Sequence, residues 1–267
     1  MPLFSAVAPL PVNRITNRLF DPDARDYILR VEAADGERLE SQVRGAINAF
    51  VVGCKVDGIW TAIKASCIMA GARTLSGALI PLSGTAPTNN NFVSSDYNRK
   101  TGLLGNGTTK SLNANRNNTA DPQDNKHISA YCTTGNTRDA ARVLISTNLG
   151  TNIGACVINT TATVFNGRIS YSSNPAAVTV SGVINGLQGA SRNNSSTVDY
   201  YFNNSGGSIA SISSAQNSSN TFIFSTPVPA NYSNARISFY SIGTSIDLAL
   251  LDVRITALMN TLASVIA

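Results

Sequence analysis

The sequence predicts a mainly β protein, an antiparallel sandwich preceded by a helical unit and closed by a C-terminal helix. Three observations lead there. Apolar residues recur at helical spacing up to about residue 72 and again after Asp247. Between these regions, short segments alternate with a two-residue period. Turn-forming Asn, Ser, Gly and Pro separate the segments, and no helical period lies between them, which disfavours a parallel βαβ arrangement. The organisation expected is an extended arm over 1–20, a helical attachment or oligomerisation unit over 21–82, and a sandwich with its terminal helix over 83–267.

The arm opens MPLFSAVAPLPVNR, where Pro9 and Pro11 favour extended chain over helix. No charged segment precedes its apolar residues, so it does not read as a secretory signal. Asp21-Pro22-Asp23 starts the first helix: Asp21 caps, Pro22 suits the first turn, and Gly36 stops it. A second helix is expected from Glu37, with Leu39, Val43, Ala46, Ile47, Phe50 and Val51 on one face and Gly53 and Asp57-Gly58 as breakers. A third is expected to carry Trp60, Ile63, Cys67 and Met69 and to end at Gly71. At that spacing Trp60 reads as core, with a binding aromatic as the alternative.

From Ser83 the chain becomes turn-rich. Strands are expected at His127–Cys132, Arg142–Ser146, Ala155–Ile158, Thr163–Ser170, Val178–Val183, Val198–Phe202, Thr221–Phe224 and Arg236–Ile242. Asp247 then caps a helix whose stripe is Leu248, Leu251, Ile255, Leu258, Met259 and Leu262. That stripe packs on its own domain or on a sister subunit.

Composition narrows the chemistry. Of 267 residues, 43% are hydrophobic and only 13% charged. Steady recurrence of apolar residues argues against disorder. The net charge of +5 comes from scattered basic residues, so no nucleic-acid partner is expected. No stretch reads as having the apolar length of a bilayer span, so no membrane insertion is expected. The glutamates Glu32, Glu37 and Glu40 all precede residue 41, His127 is the only histidine, and Asp139 and Asp199 are the only acids between Ile128 and Ile246. Acid–base and nucleophilic catalysis need convergent groups of these kinds, so no catalytic residue is assigned. His127, near Asp121 and Asp124, reads as structural. Cys54, Cys67, Cys132 and Cys156 form no CxxC pair, so no zinc site is expected and buried thiols are, although one disulfide cannot be read from spacing.

Several segments together resemble a tailed-bacteriophage virion family carrying a laminin-G or concanavalin-A-like jelly-roll domain. They are Phe50 to Trp60, Ala70 to Leu79, Asp96 to Leu103, Gly105 to Lys110, Asn115 to Asn118, His127 to Ser129, Phe239 to Gly243 and the final helix. The resemblance implies a jelly-roll sandwich on a phage particle surface. It points to a non-enzymatic structural protein of the tail or a fibre-like appendage, with a capsid decoration protein or head fibre as the alternative. Related jelly-roll hydrolases use glutamates on a sheet strand, and the absence of glutamate after Glu40 makes a polysaccharide-degrading enzyme the weakest alternative. Laminin-G calcium sites use aspartate, but no calcium-loop spacing joins Asp121, Asp124, Asp139 and Asp199, so no metal or cofactor is assigned. Other virion proteins are the expected partners, together with a homo-oligomer, a trimer by fibre analogy.

A host-surface glycan is the expected ligand of an Asn- and Tyr-bearing face. Alternation puts Val198, Tyr200 and Phe202 inward and Asp199, Tyr201 and Asn203 outward, which makes Tyr201 and Asn203 the glycan-binding candidates. Arg116-Asn117-Asn118 and Arg192-Asn193-Asn194 are polar loop motifs that could meet an acidic polysaccharide or a neighbouring subunit.

Overall fold

The computed structural model describes residues 20–137, 140–147, 155–160, 164–171, 178–179, 185–202, 204–228 and 230–267. Nearly all of the expected arm therefore lies outside the described residues. Two helices come first, α1 (Pro22–Asp35) and α2 (Ser41–Val56). A 3-10 turn at Trp60–Ala62 leads into β1 (Ile63–Ile68) and a short helix, α3 (Leu75–Ala78). Then come β2 (Pro81–Ser83), β3 (Thr88–Asn90), β4 (Tyr97–Asn98), β5 (Gly102–Leu104), β6 (Ser111–Asn117), β7 (Lys126–Thr134) and β8 (Arg142–Ser146). They are followed by β9 (Ala155–Thr160), β10 (Val164–Ile169), β11 (Val178–Thr179), β12 (Gly186–Arg192), β13 (Thr197–Phe202) and β14 (Ser205–Ala210). The chain ends in β15 (Asn220–Ile223), β16 (Arg236–Gly243) and α4 (Leu248–Val265).

The strands form two antiparallel sheets, a jelly-roll sandwich. Among the described residues the inner sheet has nine strands, in the order β14-β13-β12-β7-β16-β1-β2, with β5 on β16 and β4 on β5. The outer sheet has seven, in the order β11-β10-β9-β8-β15-β6-β3. Leu112, Leu144, Ile145, Phe165 and Ile223 of the outer sheet meet Ala65, Cys67, Ile128, Ala130, Val198, Phe202 and Tyr240 of the inner one. The opposite face of the inner sheet is covered too. There Ile68, Leu187, Tyr201 and Phe239 join Tyr27, Ile28, Val43, Ile47, Phe50, Leu251, Ile255, Leu258 and Leu262 of α1, α2 and α4 in a second core. The order of layers is thus helices, inner sheet, outer sheet.

The ends of α1 follow local rules. Asp21 accepts from the Asp23 amide at 3.0 Å, Pro22 occupies the first turn, and Gly36 is left-handed at φ 69°. Helix α2 begins after Glu40 and runs through Gly53, which does not break it. Gly53 is where α4 crosses: a Cβ there would stand 2.8 Å from Cδ of Arg254, whose guanidinium reaches Asp57 at 2.5 and 2.6 Å. Asp247 caps α4 by accepting from the amides of Ala249 and Leu250, and every residue of the expected stripe is buried. Full burial of each such aliphatic side chain contributes roughly 1.5–3 kcal/mol.

Three expectations need correction. The third helix is instead the 3-10 turn and β1, paired to β16 from Ile63↔Gly243 to Ile68↔Phe239. Five of the six residues of β1 are buried because layers cover both its faces, so it shows no polar alternation, and its apolar spacing mimics a helix. For the same reason 21–82 is not a purely helical unit: β1 and β2 belong to the inner sheet, and α1 and α2 share one core with it. Finally, α4 has 18 residues at mean hydropathy 1.4, long and apolar enough by length and composition to cross a membrane. In this fold its apolar stripe is spent on α2 and the inner sheet.

Helices can approach the inner sheet closely because one row across it is small. Ser83, Ser66, Ser241, Ser129 and Gly189 pair in sequence across β2, β1, β16, β7 and β12 before the row reaches Tyr201. At Gly189 a Cβ would stand 2.9 Å from Cβ of Ser129 and 3.0 Å from Cδ2 of Leu248. Gly189→Ala should therefore cost about 1–3 kcal/mol in urea unfolding. Gly45 of α2, with nothing within 4 Å of its Cβ position, is the matched control. Gly45→Ala should gain about 0.5–1 kcal/mol in the same measurement.

Candidate functional site

The helix-facing side of the inner sheet is not covered along its whole length. Helix α4 starts at Leu248, and beyond its first turn the ends of β12, β13 and β14 stand open. A cleft of about 620 Å³ lies there. Asn193, Asp199, Tyr200, Ser208, Ser245 and Asp247 supply its polar lining, while Tyr201 and Leu248 supply much of its wall. Gly206 and Gly207 of the edge strand β14 leave room for the tyrosines opposite them: a Cβ at Gly206 would stand 3.2 Å from Cδ2 of Tyr201, and one at Gly207 would run into the ring of Tyr200.

Strand alternation explains the lining. Val198 and Phe202 point into the core between the sheets, with half-buried Tyr200 packed against it and stacked on Phe202 at 5.6 Å. Asp199 and Tyr201 point to the helix side, as expected, but their fates differ. Tyr201 lies beneath α4, buried, and its hydroxyl donates to Asp252 at 2.9 Å. Asp252 is itself buried and also accepts from Thr256 at 3.2 Å. Burial, and then the Asp252 carboxylate, push the Tyr201 phenol up to about 12. Tyr201 is therefore a fastener between sheet and helix, which corrects its reading as an exposed glycan contact. Asn203 lies outside the described residues. Asp199, two positions from Tyr201, is exposed beyond the helix start and has no hydrogen bond or ion pair among the described residues.

The loop motifs divide in the same way. Arg116 is bound to Asp121 at 2.6 and 2.9 Å. Arg192 is fully buried and donates to the carbonyls of Ile169, Asn194 and Ser211. Neither arginine is presented to a polysaccharide; of those two motifs only Asn193 reaches the cleft. Nothing in the sequence marks Asn193, Ser208, Ser245 and Asp247 as one group, because they come from three separate segments. The available signal was the glycine pair Gly206-Gly207 beside the alternation of β13.

His127 is structural in its contacts. It is fully buried on β7, with Nδ1 2.5 Å from the Thr244 carbonyl and Nε2 2.7 Å from Oγ of Ser241. A carbonyl only accepts, so Nδ1 carries the proton and Nε2 accepts from the serine. Burial lowers its pKa to about 4. Asp139 lies outside the described residues. Cys54, Cys67 and Cys132 are buried free thiols, and burial raises each to about 12. No three His, Cys, Asp or Glu side chains converge as a metal-binding group among the described residues.

No family profile and no curated protein matches the chain. Among solved structures, the botulinum neurotoxin serotype D binding domain is similar at 12% identity, over 73% of this chain and 51% of that one, with a TM-score of 0.49. A structure of botulinum neurotoxin type C, described through its interaction with two ganglioside molecules, gives 15%, 78%, 53% and 0.47 in the same order. A mutant Trypanosoma rangeli sialidase gives 8%, 74%, 33% and 0.45. The matches thus span between one third and about half of those chains.

Two predictions follow from these side chains. Tyr201→Phe leaves buried Asp252 short of a donor and should cost about 2 kcal/mol, while Tyr201→Ala should cost about 3–5 kcal/mol, both read by urea unfolding. The second concerns acid. Because the folded pKa of His127 lies below the ordinary 6.5, the unfolded chain takes up the proton first. Stability present above about pH 6.5 should therefore be lost as pH falls toward 4, by about 2 kcal/mol between about pH 7 and about pH 5. Urea midpoints of His127→Gln should show a flatter profile across that window.

Proposed function

We propose that this protein is a non-enzymatic carbohydrate-recognition component of a bacteriophage particle, a tail or fibre-like appendage, and that the cleft at the start of α4 holds the saccharide. The observation that carries the binding site is the exposed, unpartnered Asp199 in a cleft whose other carboxylate, Asp247, is engaged in capping α4 and whose remaining polar lining is amide and hydroxyl. A carboxylate accepts from two adjacent sugar hydroxyls, while Asn193 and the serines serve as donors or acceptors around the ring. Tyr201 lies beneath α4 and Tyr200 packs against the inter-sheet core, so recognition rests on the polar groups. Each neutral hydrogen bond contributes about 0.5–1.5 kcal/mol net, so single-site affinity is modest. Several copies on one particle raise it through avidity, for which a homo-oligomer, a trimer by fibre analogy, would serve.

The virion setting is supported by the segment resemblance from Phe50 to Gly243 rather than by the cleft. On a glycan array carrying host envelope polysaccharides, the multivalent protein should be retained, and Asp199→Asn should reduce retention about tenfold with an unchanged melting temperature. Retention unaffected by Asp199→Asn would reject the cleft as the site. Labelled antibodies should mark the tail under electron microscopy; uniform capsid labelling would support the decoration-protein or head-fibre reading instead.

A further inference from the structure

A second groove, of about 380 Å³, lies between α1 and the β1–β2 edge of the inner sheet. Its aromatic wall is Trp60, half-buried, whose Nε1 donates to Asp23 at 3.0 Å. Lys55 stands 5.7 Å from the centroid of the indole ring and bridges Asp21 and Asp23 at 2.7 and 2.6 Å. Across the groove, Arg30 pairs with Asp26 at 2.9 Å and donates to the Pro81 carbonyl at 2.8 Å. Asp23 and Asp26 are thus each matched by a cation. Lys64 also lines the groove, is exposed, and has neither an acidic partner nor a hydrogen bond among the described residues. One uncompensated ammonium therefore sits in a groove with an indole wall and several hydrogen-bonding groups.

We propose that this groove binds a carboxylate-bearing sugar, its ring against Trp60 and its carboxylate on Lys64. An indole offers the apolar surface that a pyranose ring packs on, Asp26 and Arg30 can meet ring hydroxyls, and an ammonium selects an acidic ligand over a neutral one. The charge is opposite to that of the first cleft, where Asp199 is the open group. The two sites would therefore select different sugars, and this inference does not depend on the first.

Trp60 is the only tryptophan in the chain, so indole emission reports on this groove alone. The full-length protein would be titrated with an oligogalacturonate and with a neutral malto-oligosaccharide of equal length. The uronate should change Trp60 emission saturably with a Kd of about 1 mM, and the neutral sugar should bind at least about fivefold more weakly. Lys64→Gln, a change at an exposed position, should weaken the uronate about tenfold without shifting the melting temperature. Asp199→Asn should leave the titration unchanged, which separates this groove from the first cleft whatever the array shows. Unchanged emission with uronate, equal affinity for both sugars, or a response that survives Lys64→Gln would overturn the proposal. So would a response lost in Asp199→Asn.

Discussion

The constraint on which the rest of this structure depends is that the inner sheet has almost no face left for water. Its central strands β7, β12 and β16 are buried nearly end to end, between the outer sheet on one side and the helices on the other. Removing both faces from water supplies the main driving force, and it also restricts which side chains fit. Polar groups that remain inside need partners, as His127 finds in Ser241 and Thr244, and Arg192 in three carbonyls. Ser66 and Ser129 have buried hydroxyls without a partner, each at a cost of about 1–3 kcal/mol. Both lie in the row that must stay small for the helical layer to sit close.

The same layering sets the candidate site. A two-sheet sandwich alone would expose the whole face bearing Asp199 and Tyr201. The third layer closes over Tyr201 and stops at the Asp247 cap, so one residue becomes a fastener and its neighbour a cleft group. Where a helix begins therefore decides which side chains of a strand are available for recognition.

Much of this fold was legible. Strong signals were local: the Asp21-Pro22 start, the Asp247 cap and its stripe, and the short apolar run Arg142–Ser146, each complete within a few residues. What escaped was either buried on two faces, like β1, or nearly devoid of apolar period, like β6 (SLNANRN) and β14 (SGGSIA). Such strands are specified by their neighbours across the ladder, and a single sequence does not display those neighbours. The site was half legible for the same reason. Period two gave the side of the sheet on which Asp199 and Tyr201 lie, but not the helix lying on that side. Likewise the arginines of the Arg-Asn-Asn motifs look alike in sequence and differ in the structure, Arg116 bound to Asp121 and Arg192 enclosed by carbonyls.

The pairing of β1 with β16 also bears on how the chain reaches this state. Ile63 meets Gly243 and Ile68 meets Phe239, partners separated by on the order of 175 positions, which is a heavy loop-closure requirement. The middle of the inner sheet cannot assemble before Arg236–Gly243 has been made. Until then the apolar edge of Ile63–Ile68 waits unpaired, the condition in which nascent β proteins aggregate or engage chaperones. Closing this long-range pair is therefore the step expected to limit the rate at which the inner sheet forms.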